Sequence, residues 1–230
     1  MGLRRFTDVV NEGKSKVPDS FDFENDKFGG VEEGKFYRIY AKKKFSDVKV
    51  GDKGGLIGME SNLSDKGNCW IYDEAKVYEY TTVKDDAVVK DDAAVFDEAV
   101  VKGKAVVQGN AKVYGSADVY DKAEVSGFSR IYDDAKVYGS AYVYRSPRVY
   151  GEARVYGNAK VIGDDVEVYG KAKVYGKAKV YDDAEVYDGA KVDDNAEVYG
   201  EARVYGNCWI YRKAEVSGNT EVSGNTKLNK

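Results

Sequence analysis

Val155-Tyr156-Gly157-Asn158-Ala159-Lys160-Val161 decides the fold of this chain. Its two valines stand six residues apart, and a small residue, Ala153 or Ala159, precedes each of them by two. Positions two apart in a strand share a side, so Ala and Val turn inward together. The Arg or Lys between them and the Tyr156 or Ile162 after them turn outward. Gly157-Asn158 then supplies backbone that tolerates a corner.

Outward from this stretch the unit recurs. Val or a near relative falls every sixth residue from Ile71 to Val161 and, after one seven-residue step, from Val168 to Leu228, making 27 units. The small slot is Ala in 19 of them, and otherwise Cys69, Thr81, Ser129, Pro147, Val166, Cys208, Thr220 or Thr226, so size is what the slot demands. Three units close a triangular coil, and coils stack about 4.8 Å apart through ladder hydrogen bonds. The expected fold is all-β: a single-stranded β-solenoid of about nine coils over 67–230, behind an N-terminal extension and a small α/β or β cap at 1–66. GNCWIY, at 67–72 and again at 206–211, contains both cysteines and both tryptophans. It reads as an ordinary unit, with Cys69 and Cys208 in the small slot and Trp70 and Trp209 on the outer surface. Ile71 and Ile210 fall on different faces at opposite ends of the stack, which rules out a disulfide between the two copies.

Composition narrows the function. The net charge of −4 points to neither nucleic acid nor membrane. No apolar run approaches membrane-spanning length, and MGLRRFTDVV has no signal-peptide core. Histidine is absent, which removes the commonest general base and the commonest metal ligand. The Asp pairs (85–86, 91–92, 133–134, 182–183) sit at corners and do not match a calcium-binding nonapeptide. No cofactor and no metal are expected.

The aliphatic residue with a small one two places earlier resembles the hexapeptide-repeat left-handed β-helix, and left-handedness is implied by that resemblance alone. Familiar members are acyltransferases with a histidine base or gamma-class carbonic anhydrases with three histidines on zinc. Without histidine, and with no loop longer than one extra residue, the expectation is that this chain is not an enzyme and has no catalytic residue. The run FYRIYAKKKFSDVKVGDKGGLIGMESNLSDKGNCWIY at 36–72 is similar to the head of uncharacterised hexapeptide-repeat proteins of phages, prophages and bacteria. That resemblance implies a phage-linked setting, in the host cytoplasm or a virion, and no particular chemistry.

Stacking the units by threes gives faces A, B and C, beginning at Ile71, Val77 and Val83. Face B carries an aromatic column of Tyr78, Phe96, Tyr114, Tyr132, Tyr150, Tyr169, Tyr187 and Tyr205. Face C carries Tyr120, Tyr138, Tyr156 and Tyr175 beside a basic column of Lys136, Arg154, Lys173 and Lys191. The columns either stiffen the coil by ring packing or form a strip for a sugar, a peptide or another subunit. Early outward positions are apolar (Trp70, Val88 and Val106 on face A, Ala94 and Phe96 on B, Val100 on C), so residues 1–66 or a second subunit are expected to cover them. The corners from A to B are irregular in three successive coils: Gly127-Phe128-Ser129, Arg145-Ser146-Pro147, and Gly163-Asp164-Asp165 with the only insertion. Pro147 there is expected to break ladder pairing. Phe128, Tyr142, Tyr144, Arg145, Pro147, Asp164 and Asp165 are therefore the candidate partner contacts, with Arg130 and Arg148 beside them.

In the head, a short helix is the most that 3–10 supports, 35–41 alternates like a strand, and 47–58 reads as strand, glycine turn, strand. The last units fray into Asn-Lys, an end for a partner to close. Three functions stay open: a structural or interaction protein that binds a protein partner or itself, as a homotrimer; a degenerate sugar-nucleotide acyltransferase with a carboxylate or water-relayed base; and a glycan-binding module.

Overall fold

The computed structural model describes residues 35–229, together with the backbone of strands at 4–5, 21–22 and 28–33. The repeat folds as its spacing dictates. Most units supply a two-residue strand, such as Lys112–Val113 or Arg154–Val155, and each strand pairs in parallel with the one a full coil later. Faces A and C are nine-stranded sheets, and face B is the core of a fourteen-stranded one. Inside the triangle the Ala and Val columns are sealed from solvent over nearly their whole length. The chain is a β-solenoid of about ten turns, and among the described residues helix is limited to one 3-10 turn at Glu60–Asn62.

The additional turn comes from the head. Strands β1 (Arg4–Arg5), β2 (Phe21–Asp22), β3 (Phe28–Glu33), β4 (Phe36–Ala41) and β5 (Lys53–Ile57) run antiparallel to one another and extend the face B sheet. β5 then pairs in parallel with Lys76–Val77, placing Ile57 against Val77, while Leu63 bridges Val83 on face C. Ile57 and Leu63 thus occupy aliphatic positions of a coil that precedes the first one read from the period.

Three expectations for the head change. Arg4–Arg5 is a strand rather than part of a helix, because pairing with Phe21–Asp22 gives it backbone partners that a short isolated helix could not. The rest of that stretch lies outside the described residues. Asp47–Val50 is not a strand; Phe45 and Val48 close a tight turn with two backbone hydrogen bonds of 3.1 and 2.9 Å. Gly54-Gly55 is not a turn either, since both lie within β5. A Cβ on Gly54 would come within 2.6 Å of the Trp70 ring, and one on Gly55 within 2.3 Å of Ile71, so the pair is glycine for close approach.

Trp70 is also not on the surface. Only 1% of it is exposed, because Phe45 packs edge-on against it at 5.4 Å. Beside it Arg38, 2% exposed, donates to the carbonyls of Gly54 and Asp73 at 3.1 and 2.6 Å and to the Glu74 carboxylate. The head therefore covers the start of face A, while Val88, Val106, Ala94 and Val100 remain half-buried.

Candidate functional site

The A-to-B edge begins as an ordinary corner. Gly127 has φ 72°, and a Cβ there would meet the Arg145 carbonyl at 2.3 Å, so the backbones nearly touch. Phe128 has no inward position to fill and stands 65% exposed, its N–H donating to that same carbonyl. Ser129 takes the small slot and caps the Ser126 carbonyl at 2.6 Å.

One coil on, the strand lengthens to Tyr142–Arg145 and pairs residue for residue with Lys160–Gly163. The ladder is thus extended at this edge, not broken, and the inserted residue is absorbed after Gly163. Ser146 still donates to the Gly163 carbonyl and Arg148 to that of Val166, both at 2.9 Å. Pro147 does no damage for a further reason. In regular units the small-slot N–H bonds within its own turn, as Ala135 does to Tyr132, so proline gives up no bond to the next coil. Its carbonyl still accepts from Arg130 at 2.9 Å.

The edge therefore brings Phe128, Tyr142, Tyr144, Arg145 and Asp164 together over three coils. Tyr142 and Tyr144 lie ring to ring at 5.7 Å, and Tyr144 is 42% exposed because Ser126 and Ile162, its neighbours in the column, are not aromatic. Arg145 holds φ 76° and reaches Asp164 at 3.7 Å; both side chains are largely exposed, so the pair orients more than it stabilises. Asp165 is exposed beside it, and Pro147 is buried beneath. The result is a ridge of three rings, one cation and two carboxylates, with Phe128 and Tyr144 the most exposed of the rings.

The face B column is continuous from Tyr78 to Tyr205, with centroids 4.8–5.2 Å apart and planes within 7°. Inner rings therefore spend both faces on their neighbours and offer edges and hydroxyls to solvent. Tyr150 donates to Glu167 of the next coil at 2.9 Å, and Tyr181 on face A donates to Glu197 likewise. Burial within the stack, followed by the charge of Glu185 and the neighbouring phenol of Tyr187, pushes Tyr169 up to about 12, and Tyr150 and Tyr175 are raised further. Glu197 is held below the ordinary carboxylate range, chiefly by the Lys179 ammonium at 2.7 Å.

Two features escaped the sequence reading. Tyr80 stands 78% exposed at a B-to-C corner, a position that the period does not mark. Corner aspartates do more than tolerate a turn: Asp85, Asp91, Asp97 and Asp133 sit at positive φ and accept the N–H of Gly103, Gly109, Gly115 and Gly151, eighteen residues on, at 2.8–3.2 Å. Among the described residues no three His, Cys, Asp or Glu side chains are placed to hold a metal ion, and no helix is long and apolar enough to cross a membrane.

No protein-family model matches the chain. A stretch of 37 residues, 16% of this chain, is 49% identical to an uncharacterised acetyltransferase, YdcK, of Escherichia coli (strain K12). The matched stretch spans 11% of that relative's length. With the solenoid, this similarity fits the hexapeptide-repeat class. It overturns the inference that the chain is not an enzyme: a missing histidine does not exclude a chain that shares sequence with an acetyltransferase, although so short a match establishes no activity.

Proposed function

We propose that the chain is a solenoid scaffold that docks a protein surface on the Phe128–Tyr144 ridge. One observation carries this reading. Phe128 and Tyr144 are two of five large apolar or aromatic side chains exposed among the described residues, and they lie in adjacent coils on one edge. Exposed rings beside oriented charges suit a small interface, with rings as anchors and Arg145 and Asp164 as a polar rim. The docked protein is a separate partner or a second copy of this chain, a homotrimer being the form hexapeptide-repeat relatives suggest. A phage-linked setting rests on the resemblance read from the 36–72 head alone.

The test replaces 127–129, 145–147 and 163–165 with Gly-Asn-Ala corners and removes the inserted residue. Light scattering should show the wild type as an oligomer and the variant as a smaller species, or affinity purification should recover a protein with the wild type that the variant loses. A monomeric wild type whose co-purifying proteins are unchanged in the variant overturns the reading.

The acetyltransferase similarity favours a second reading, acyl transfer from a thioester with a carboxylate or a relayed water as base. Release of free thiol from acetyl-coenzyme A in the presence of candidate amines and sugars tests it; no release above the protein-free rate counts against it.

A further inference from the structure

Cross-strand neighbours of like charge destabilise a sheet, and opposite charges stabilise it. Two faces of the solenoid follow this rule only in part, since Lys112, Arg130 and Arg148 on face B and Lys160 and Lys179 on face A are also like-charged register partners. On face B, Arg148 pairs with Glu167 at 2.7 Å, and Arg203 lies between Glu185 and Glu221 at 3.2 and 3.7 Å. On face A, Lys179 pairs with Glu197 at 2.7 Å. Face C departs from it furthest, with four successive cations. Lys136, Arg154, Lys173 and Lys191 are direct register partners on successive strands. Lys136 is neutralised by Asp118 at 3.2 Å, but Arg154, Lys173 and Lys191 make no ion pair among the described residues. Asp193, the acid that continues the flanking column, accepts the Asp194 N–H and lies near enough to the Tyr175 hydroxyl to help raise its pKa.

Beside these cations runs the second ring stack, Tyr120, Tyr138, Tyr156 and Tyr175, with centroids 4.7, 4.8 and 4.9 Å apart. The hydroxyls of Tyr138 and Tyr156 have no hydrogen-bond partner among the described residues, so a straight track of cations lies parallel to a row of free phenol groups. We infer that face C binds an extended acidic polysaccharide of the polyuronate kind, its carboxylates on Arg154, Lys173 and Lys191 and its hydroxyls on Tyr138 and Tyr156. Sugars of an extended 1→4-linked chain advance by close to one coil spacing and turn their carboxylates to alternate sides, so those on one side recur at about two coil spacings and match Arg154 and Lys191, with Lys173 between them. Single-stranded nucleic acid suits the track less well. Its binding draws on bases stacking upon open aromatic faces, and these rings face one another.

The inference concerns a different face from the ridge and stands or falls apart from it. The probe is polygalacturonate, compared with a neutral glucan and with oligothymidylate, at several salt concentrations. The wild-type chain should bind polygalacturonate and not the glucan. Arg154→Gln/Lys173→Gln/Lys191→Gln, which changes only outward side chains, should bind at least tenfold more weakly with a flatter salt dependence. Tyr138→Phe/Tyr156→Phe, which keeps the stack and removes the hydroxyls, should weaken binding with the salt dependence unchanged. Undiminished binding by the triple variant overturns the inference, as does a wild-type preference for oligothymidylate or no binding to polygalacturonate at low salt.

Discussion

Asp133 condenses what one residue contributes to this fold. Its φ of 57° is a conformation that L-residues avoid, at a cost of about 1–2 kcal/mol, and its carboxylate offsets this by accepting the Gly151 N–H at 3.2 Å. Asp133→Asn should leave the urea midpoint nearly unchanged, because the amide oxygen accepts equally well. Asp133→Gly should lower it a little and Asp133→Ala most, by about 1–2 kcal/mol, since alanine keeps the strain and lacks the acceptor. If the alanine variant proves as stable as the asparagine one, the capping role is wrong. The sequence marked such aspartates as corner residues from their place in the period. Their partners stayed hidden, because a hydrogen bond to a residue eighteen positions away exists only once coils are stacked. Pro147 was misjudged for a related reason: which N–H of a unit serves the next coil cannot be told from residue type.

At the level of the element, an aromatic column gains stability from neighbours, so position within it should matter. Tyr114 stacks on Phe96 and Tyr132, whereas Tyr205 stacks on Tyr187 alone. Tyr114→Ala should cost about 1–3 kcal/mol and Tyr205→Ala about half that, read from thermal midpoints. Equal losses would mean that the rings act singly. Alkaline pH should attack the same column. The folded chain holds Tyr169 up to about 12 from an ordinary 10.0, so the unfolded chain gives up this proton first. Stability is therefore full below pH 10 and drains away as pH rises toward 12. Tyrosinate absorbance should lag behind that of the urea-unfolded chain and then rise with loss of the β signal; titration identical to the unfolded chain would refute the stacking account. These columns were legible because a period of six multiplied by three faces dictates them. β5 was not, because Gly55 stands where Ala is usual and Leu63 is eight residues, not six, from Ile71.

At the scale of the whole molecule, the head acts as the lid of the stack. Arg38 ties β4 to β5 and to the Asp73-Glu74 corner, and Phe45 closes over Trp70. Gly54→Ala would drive a methyl group to within 2.6 Å of the Trp70 ring, so the head should lift. Tryptophan emission should shift to longer wavelength and protease should cut within 35–66, while the later coils keep their β signal. An unshifted spectrum with no new cleavage would show that the head can adjust. The apolar start of face A was legible as a surface needing cover, but the covering residue was not, since Phe45 reaches Trp70 only through the Phe45–Val48 turn. The seven-residue step has a wider consequence. After it Arg148 still faces Glu167 and Lys160 still faces Lys179, so one surplus residue was taken up within a single corner without rotating any later column. The molecule thereby behaves as a graduated rod. Gain or loss of eighteen residues changes the distance between the head and the ridge by one graduation and keeps every column aligned. A change of six would turn everything beyond it by a third of a circle and carry the cations of face C onto another side.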